Sequence, residues 1–106
     1  MLKYKTDSNG RLLRSMQWME EIKLRIAEKD PELVEGKIMK LIKDLGNNGG
    51  MKDIKLYHSA MVGNDVSVHL HWETDNTEPQ GSATGLCLVH VLREFGLISH
   101  SVWVEA

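Results

Sequence analysis

Several things are scarce in this chain, and each scarcity excludes something. Cys87 is the single cysteine among 106 residues, so no internal disulfide framework holds the fold; it is expected inside a helix as a small buried hydrophobe. No apolar run approaches the ~20 residues of a membrane-spanning helix. Met1-Leu2-Lys3-Tyr4-Lys5 lacks the apolar core of a secretory signal, and a soluble, cytoplasmic protein is the expectation. No excess of one charge is present: 13 Lys and Arg face 15 Asp and Glu, a formal net charge of -2. That balance gives no general attraction to nucleic acid or to an anionic membrane. Gly49-Gly50 and Gly81 lack the spacing of a phosphate-cradling loop. No serine or cysteine shows a paired base, which leaves nucleophilic catalysis with little support. Internal repeats and low-complexity stretches are missing as well.

What remains is an ordinary globular composition, 42% hydrophobic and 26% charged, with length for one domain spanning residues 1–106. Residues 1 to 6 alternate weakly and read as a short strand or a frayed end, and Asp7-Ser8-Asn9-Gly10 is turn chemistry. Leu12, Met16, Met19, Ile22 and Ile26 recur at helical spacing, which predicts an amphipathic helix from Arg11 to about Glu28. Asp30-Pro31-Glu32 starts a second helix with a cap, a first-position proline and a first-turn carboxylate. Val34, Ile38, Leu41, Ile42 and Leu45 form its stripe, Gly46 ends it, and Asn47-Asn48-Gly49-Gly50 is a connector. Ser82 caps a third helix carrying Leu88, Val89, Leu92 and Phe95, with Gly85 permitting close approach to a sheet and Gly96 as the stop. Ile98 to Glu105 reads as a last strand. The order (β)ααββαβ implies an α+β sandwich, an antiparallel sheet with helices on one face, and becomes ferredoxin-like βαββαβ if residues 1 to 6 are the first strand.

Between the second and third helices, residues 53–62 and 65–73 read as two strands joined by Gly63-Asn64. A tight primed turn there sets Val62 opposite Asp65, Ala60 opposite Ser67, His58 opposite His69 and Leu56 opposite His71. His58, His69 and His71 then share one face with Ser67 and Glu73. Lys55, Tyr57, Ser59 and Met61 face Trp72, Leu70, Val68 and Val66 on the other face, which is expected under the helices. The histidine face is half apolar and half polar, and a second copy of the chain is its expected cover.

The final third carries a resemblance. Ser82-Ala83-Thr84-Gly85-Leu86, then Leu92-Arg93-Glu94-Phe95-Gly96-Leu97, then Ser99-His100-Ser101-Val102-Trp103-Val104-Glu105 is similar to the second helix and last strand of small bacterial proteins of the dimeric α/β-barrel superfamily, which includes antibiotic-biosynthesis-monooxygenase-like domains. The resemblance implies two sheets packed face to face as a barrel, with ligands in the cleft between each sheet and its own helices. Some relatives oxidise polycyclic aromatic compounds without a cofactor and others degrade haem. Trp72 and His90 stand on elements that suit the haem-degrading pattern, but no asparagine lies within residues 1 to 6, so haem chemistry does not carry over.

Three chemistries follow for the histidine patch. His58, His69 and His71, with Glu73 as a fourth ligand, suit zinc or a non-haem iron, although His69 and His71, two apart on one strand, need bent rotamers to converge. As catalytic acid–base groups the same three histidines titrate near neutral pH and suit proton removal from a phenol-like substrate. The plainer reading, and the favoured one, is a polar dimer interface. A ligand cleft of Tyr57, Ser59, Trp72 and His90 fits a flat aromatic molecule, against the plainer reading of Trp72 as core. Two functions therefore stand: a protein that binds a small, aromatic molecule or acts as a cofactor-independent monooxygenase-like domain, and a non-catalytic homodimeric assembly or regulatory module. No cofactor is expected, the alternative being a divalent metal.

Overall fold

The computed structural model describes residues 2–6, 12–45 and 49–106, with residues up to Arg14 described by backbone alone. The expected turn at residues 7 to 10, the stop at Gly46 and the connector at Asn47-Asn48 lie outside the described residues. In chain order the elements are β1 (Leu2–Thr6), β2 (Leu12–Ile26), α1 (Pro31–Leu45), β3 (Met51–His58), β4 (Asp65–Thr74), α2 (Ala83–Leu92), a 3-10 turn (Arg93–Phe95) and β5 (Gly96–Val104). Strands β3, β4, β2 and β5 lie side by side, and β1 pairs with the first residues of β2. Every pairing is antiparallel. Both helices lie on one face of the sheet, each inside a β–α–β crossover, β2–α1–β3 and β4–α2–β5, which is the split βαβ order of a ferredoxin-like fold.

The helix expected from Arg11 to Glu28 is instead the central strand β2. Trp18, Glu20, Ile22, Leu24 and Ile26 are all buried, at every second position, while Lys23 and Arg25 between them are exposed. Period two therefore governs this segment. Met16, Met19, Ile22 and Ile26 happen also to fit period 3.6, and a glutamate on the apolar row disguised the alternation. The ferredoxin-like order survives this correction because β2, rather than residues 1 to 6, supplies the first strand of the motif.

Helix α1 forms as its sequence signals. Asp30 Oδ1 accepts the Leu33 backbone N–H at 3.2 Å, a local cap satisfying one of the first-turn donors, and Val34, Ile38 and Ile42 bury its apolar stripe. Helix α2 is capped by Ser82, whose Oγ accepts from Gly85 N at 2.9 Å, and it buries Gly85, Leu88, Val89 and Leu92. Cys87 sits in this helix but is exposed, because it falls off the buried stripe. These helix residues, with Ile22, Leu24, Val68 and Leu70 of the sheet, fill the layer between sheet and helices as one core. No helix among the described residues is long and apolar enough to cross a membrane.

The hairpin register also differs from expectation. Strand β3 ends at His58, and the observed partners are His58 and Val66, Tyr57 and Ser67, Leu56 and Val68, Lys55 and His69. Ser59 Oγ accepts the backbone N–H groups of Met61 (3.2 Å) and Val62 (3.0 Å), and Ser59 N donates to Asp65 O at 2.8 Å. These bonds fold residues 59–64 into a wider loop in place of a two-residue turn. His58 thus moves three positions along its partner strand, and an odd shift inverts the face of each side chain from Asp53 to His58.

Candidate functional site

The inverted face of β3 divides the expected histidine patch. His69 and His71 remain together on the face away from the helices, their rings 6.4 Å apart. His58 lies on the helix side, exposed, with Nδ1 3.3 Å from Oε1 of Glu35 on α1. Glu73 is engaged elsewhere: Gln17 Nε2 donates to it at 3.2 Å and Lys52 Nζ lies 3.5 Å away. Among the described residues no group of three His, Cys, Asp or Glu side chains gathers where a metal ion could sit, so the four expected ligands are not brought together.

The expected aromatic cleft is divided as well. Tyr57 stands on the helix-free face against His69, ring centroids 4.6 Å apart. Ser59 joins Tyr57 at one end of that face. Trp72 lies in the core, stacked on Trp18 at 5.5 Å, and His90 is exposed on α2. The expectation that Tyr57 lies under the helices with Trp72 is therefore corrected, for the same register reason.

Two other arrangements emerge. The first is a buried cage around Glu20, which is 0% exposed. Trp72 Nε1 donates to Oε2 at 2.8 Å and Ser82 N donates to Oε1 at 2.9 Å. The Ser82 hydroxyl donates to Oε2 at 2.5 Å, and His100 Nε2 lies 3.0 Å from Oε1. The carboxylate sits at the N-terminus of α2, where free backbone N–H groups and the helix dipole favour negative charge. Two glycines make room for it. A Cβ at Gly85 would stand 2.1 Å from Glu20 Oε1, and one at Gly81, whose φ is +103°, would stand 2.3 Å from His100 Cε1. Gly85 was legible as a point of close approach; what it approaches is this carboxylate. Glu20 and His100 were missed, and the one signal available was an acid in register with a buried row.

The second arrangement is a depression of about 500 Å³ on the helix-free face, where the ends of β3, β4 and β2 meet the start of β5. Its floor is one row across four strands: Tyr57 pairs with Ser67, Ser67 with Lys23, and Lys23 with Ser99. Its rim holds Leu97 and the pair Arg25–Asp65, bonded through two contacts of 2.9 and 3.1 Å. The Arg25 guanidinium holds the Asp65 carboxyl below its ordinary range, and the same bond raises Arg25 further. The Ser67 hydroxyl is buried here without a hydrogen-bond partner among the described residues.

No protein-family model matches this chain, and no curated protein does. Among solved structures it is similar to the crystal structure of protein SO0527 from Shewanella oneidensis, with a TM-score of 0.66 over 97% of each chain and 14% sequence identity. At that identity the likeness speaks to the fold alone, and it supports the α+β architecture.

Proposed function

We propose that this chain is a homodimeric assembly module that pairs through the helix-free face of its sheet, two sheets closing face to face as in a dimeric α/β barrel. One observation carries the reading: Leu97, Trp103 and Tyr57 stand on that face 76%, 57% and 46% exposed, while the other face is buried under both helices. These side chains are spread over the face, Leu97 and Trp103 towards the two ends of β5 and Tyr57 on β3, and exposed apolar groups on an uncovered sheet face suit an interaction surface. Four strands spaced about 4.8 Å apart and about nine residues long make a face of roughly 570 Å² before side-chain relief is counted. That approaches the ~800 Å² per partner of a standard interface. Arg25 and Asp65 on this face are ion-paired with each other, so covering it does not strand those two charges.

An oxygenase of the expected kind is less well supported. The space between sheet and helices is occupied by core side chains, and Tyr57 and His90 do not meet there. Light scattering tests the proposal: the expected mass is twice 12.0 kDa. Replacing Trp103 by glutamate should weaken association at least tenfold, the scale of losing an aromatic anchor of ~2 kcal/mol. A wild-type chain that stays monomeric at about 100 μM would remove the reading, since no interface of useful affinity would then exist.

A further inference from the structure

We propose that the depression beside Tyr57 and Lys23 is a binding site for a flat aromatic molecule carrying one carboxylate. Size comes first: about 500 Å³ falls within the range of small-ligand pockets. Shape follows from the row that floors it, Tyr57, Ser67, Lys23 and Ser99 in order across the strands, with the exposed Leu97 at the rim. The short side chains of Ser67 and Ser99 leave room on either side of the Lys23 stem, between the Tyr57 ring and Leu97, for a ring system.

Charge then selects the ligand. The charged lining comprises Lys23, Arg25 and Asp65, besides His58, whose Nδ1 is turned to Glu35. Arg25 and Asp65 neutralise each other through their two-point contact. Lys23 has a long 3.8 Å contact with Glu21, which stands outside the lining. The lining therefore keeps about one positive charge, suited to a single carboxylate and too little for a phosphate, which is bound by several donors at once.

The site is formed by one copy of the chain, on the face proposed above for pairing, and in a pair it would face the space between the two sheets. Calorimetric titration with 2-naphthoate and its uncharged analogue 2-naphthamide tests it. The acid should bind at least tenfold more tightly than the amide. Lys23→Met should abolish that preference, and Tyr57→Ala should weaken both ligands together. Lys55→Met, on the same face but outside the depression, should leave the preference intact. Lys23 and Lys55 are both exposed, so both variants should fold, and circular dichroism checks this. Equal affinity for acid and amide, absence of binding, or equal loss in the Lys23 and Lys55 variants would each overturn the proposal. Light scattering on the same samples separates the two readings. A monomer that prefers the acid overturns the pairing alone, and a dimer without the preference overturns the site alone.

Discussion

Glu20 and Glu21 are neighbours in the chain, each within reach of a histidine, and the sheet sends them to opposite worlds. Glu20 is fully buried and lies 3.0 Å from His100, with Trp72 and Ser82 supplying further donors. Glu21 is 19% exposed and lies 3.3 Å from His69 and 3.8 Å from Lys23. The same chemistry therefore carries different consequences. A buried carboxylate without its donors loses hydration that nothing replaces, whereas a partly exposed one keeps contact with water. The pair teaches that burial, more than the presence of a histidine, sets what an acid is worth in this sheet.

The sharpest way to break the comparison is Glu20→Gln. An amide cannot accept all of the same donors, and urea denaturation should show a loss of about 2–4 kcal/mol. A loss no larger than that of Glu21→Gln would end the distinction. Next in size is Gly85→Ala. In an open helix alanine gains about 1 kcal/mol over glycine, but here its methyl would run into the Glu20 carboxylate. A net loss of about 1–3 kcal/mol is expected from that overpacking, and a stabilised variant would show that the cage yields. Glu21→Gln should cost less than Glu20→Gln, about 1 kcal/mol, and less again in high salt, since its contacts remain partly open to solvent.

The smallest effect concerns acid. The carboxyl of Asp65 is held below its ordinary range by Arg25, so its contribution is present above the unfolded carboxylate range. It is lost as pH falls through the lowered folded value. Asp65→Asn should therefore lower the neutral plateau slightly and leave stability at the acid end unchanged, which flattens the acid limb of the profile. The raised guanidinium of Arg25 contributes at every pH below its ordinary value and adds no transition near neutrality.

How much could be read in advance differs from element to element. Helix α1 and the start of α2 were legible because their signals are local: Asp30 and Pro31 at one start, Ser82 at the other. The burial of Val66, Val68, Leu70 and Trp72 was legible from strict alternation along β4. Strand β2 was not, because Glu20 interrupts an otherwise apolar row, and an acid reads as solvent-facing unless its donors are known. Those donors come from Trp72, Ser82 and His100, which lie 52, 62 and 80 residues away in sequence.

The candidate site divides in the same way. Tyr57, Ser59, His69 and His71 were identified as residue types fit for chemistry, yet the partner of each depended on one loop. Ser59 closes that loop with its own hydroxyl, which competes with the tight turn at Gly63-Asn64 through a bond as local as the turn itself. Periodicity and capping act over a few positions, and they were enough for the α+β class, the helix caps and the buried row of β4. Only the tertiary structure decided that residues 12–26 are a strand, that Glu20 belongs inside, and that His58 leaves His69 and His71. Each of those outcomes rests on a long-range contact or a register, and a register that slips by an odd number of residues changes every face at once.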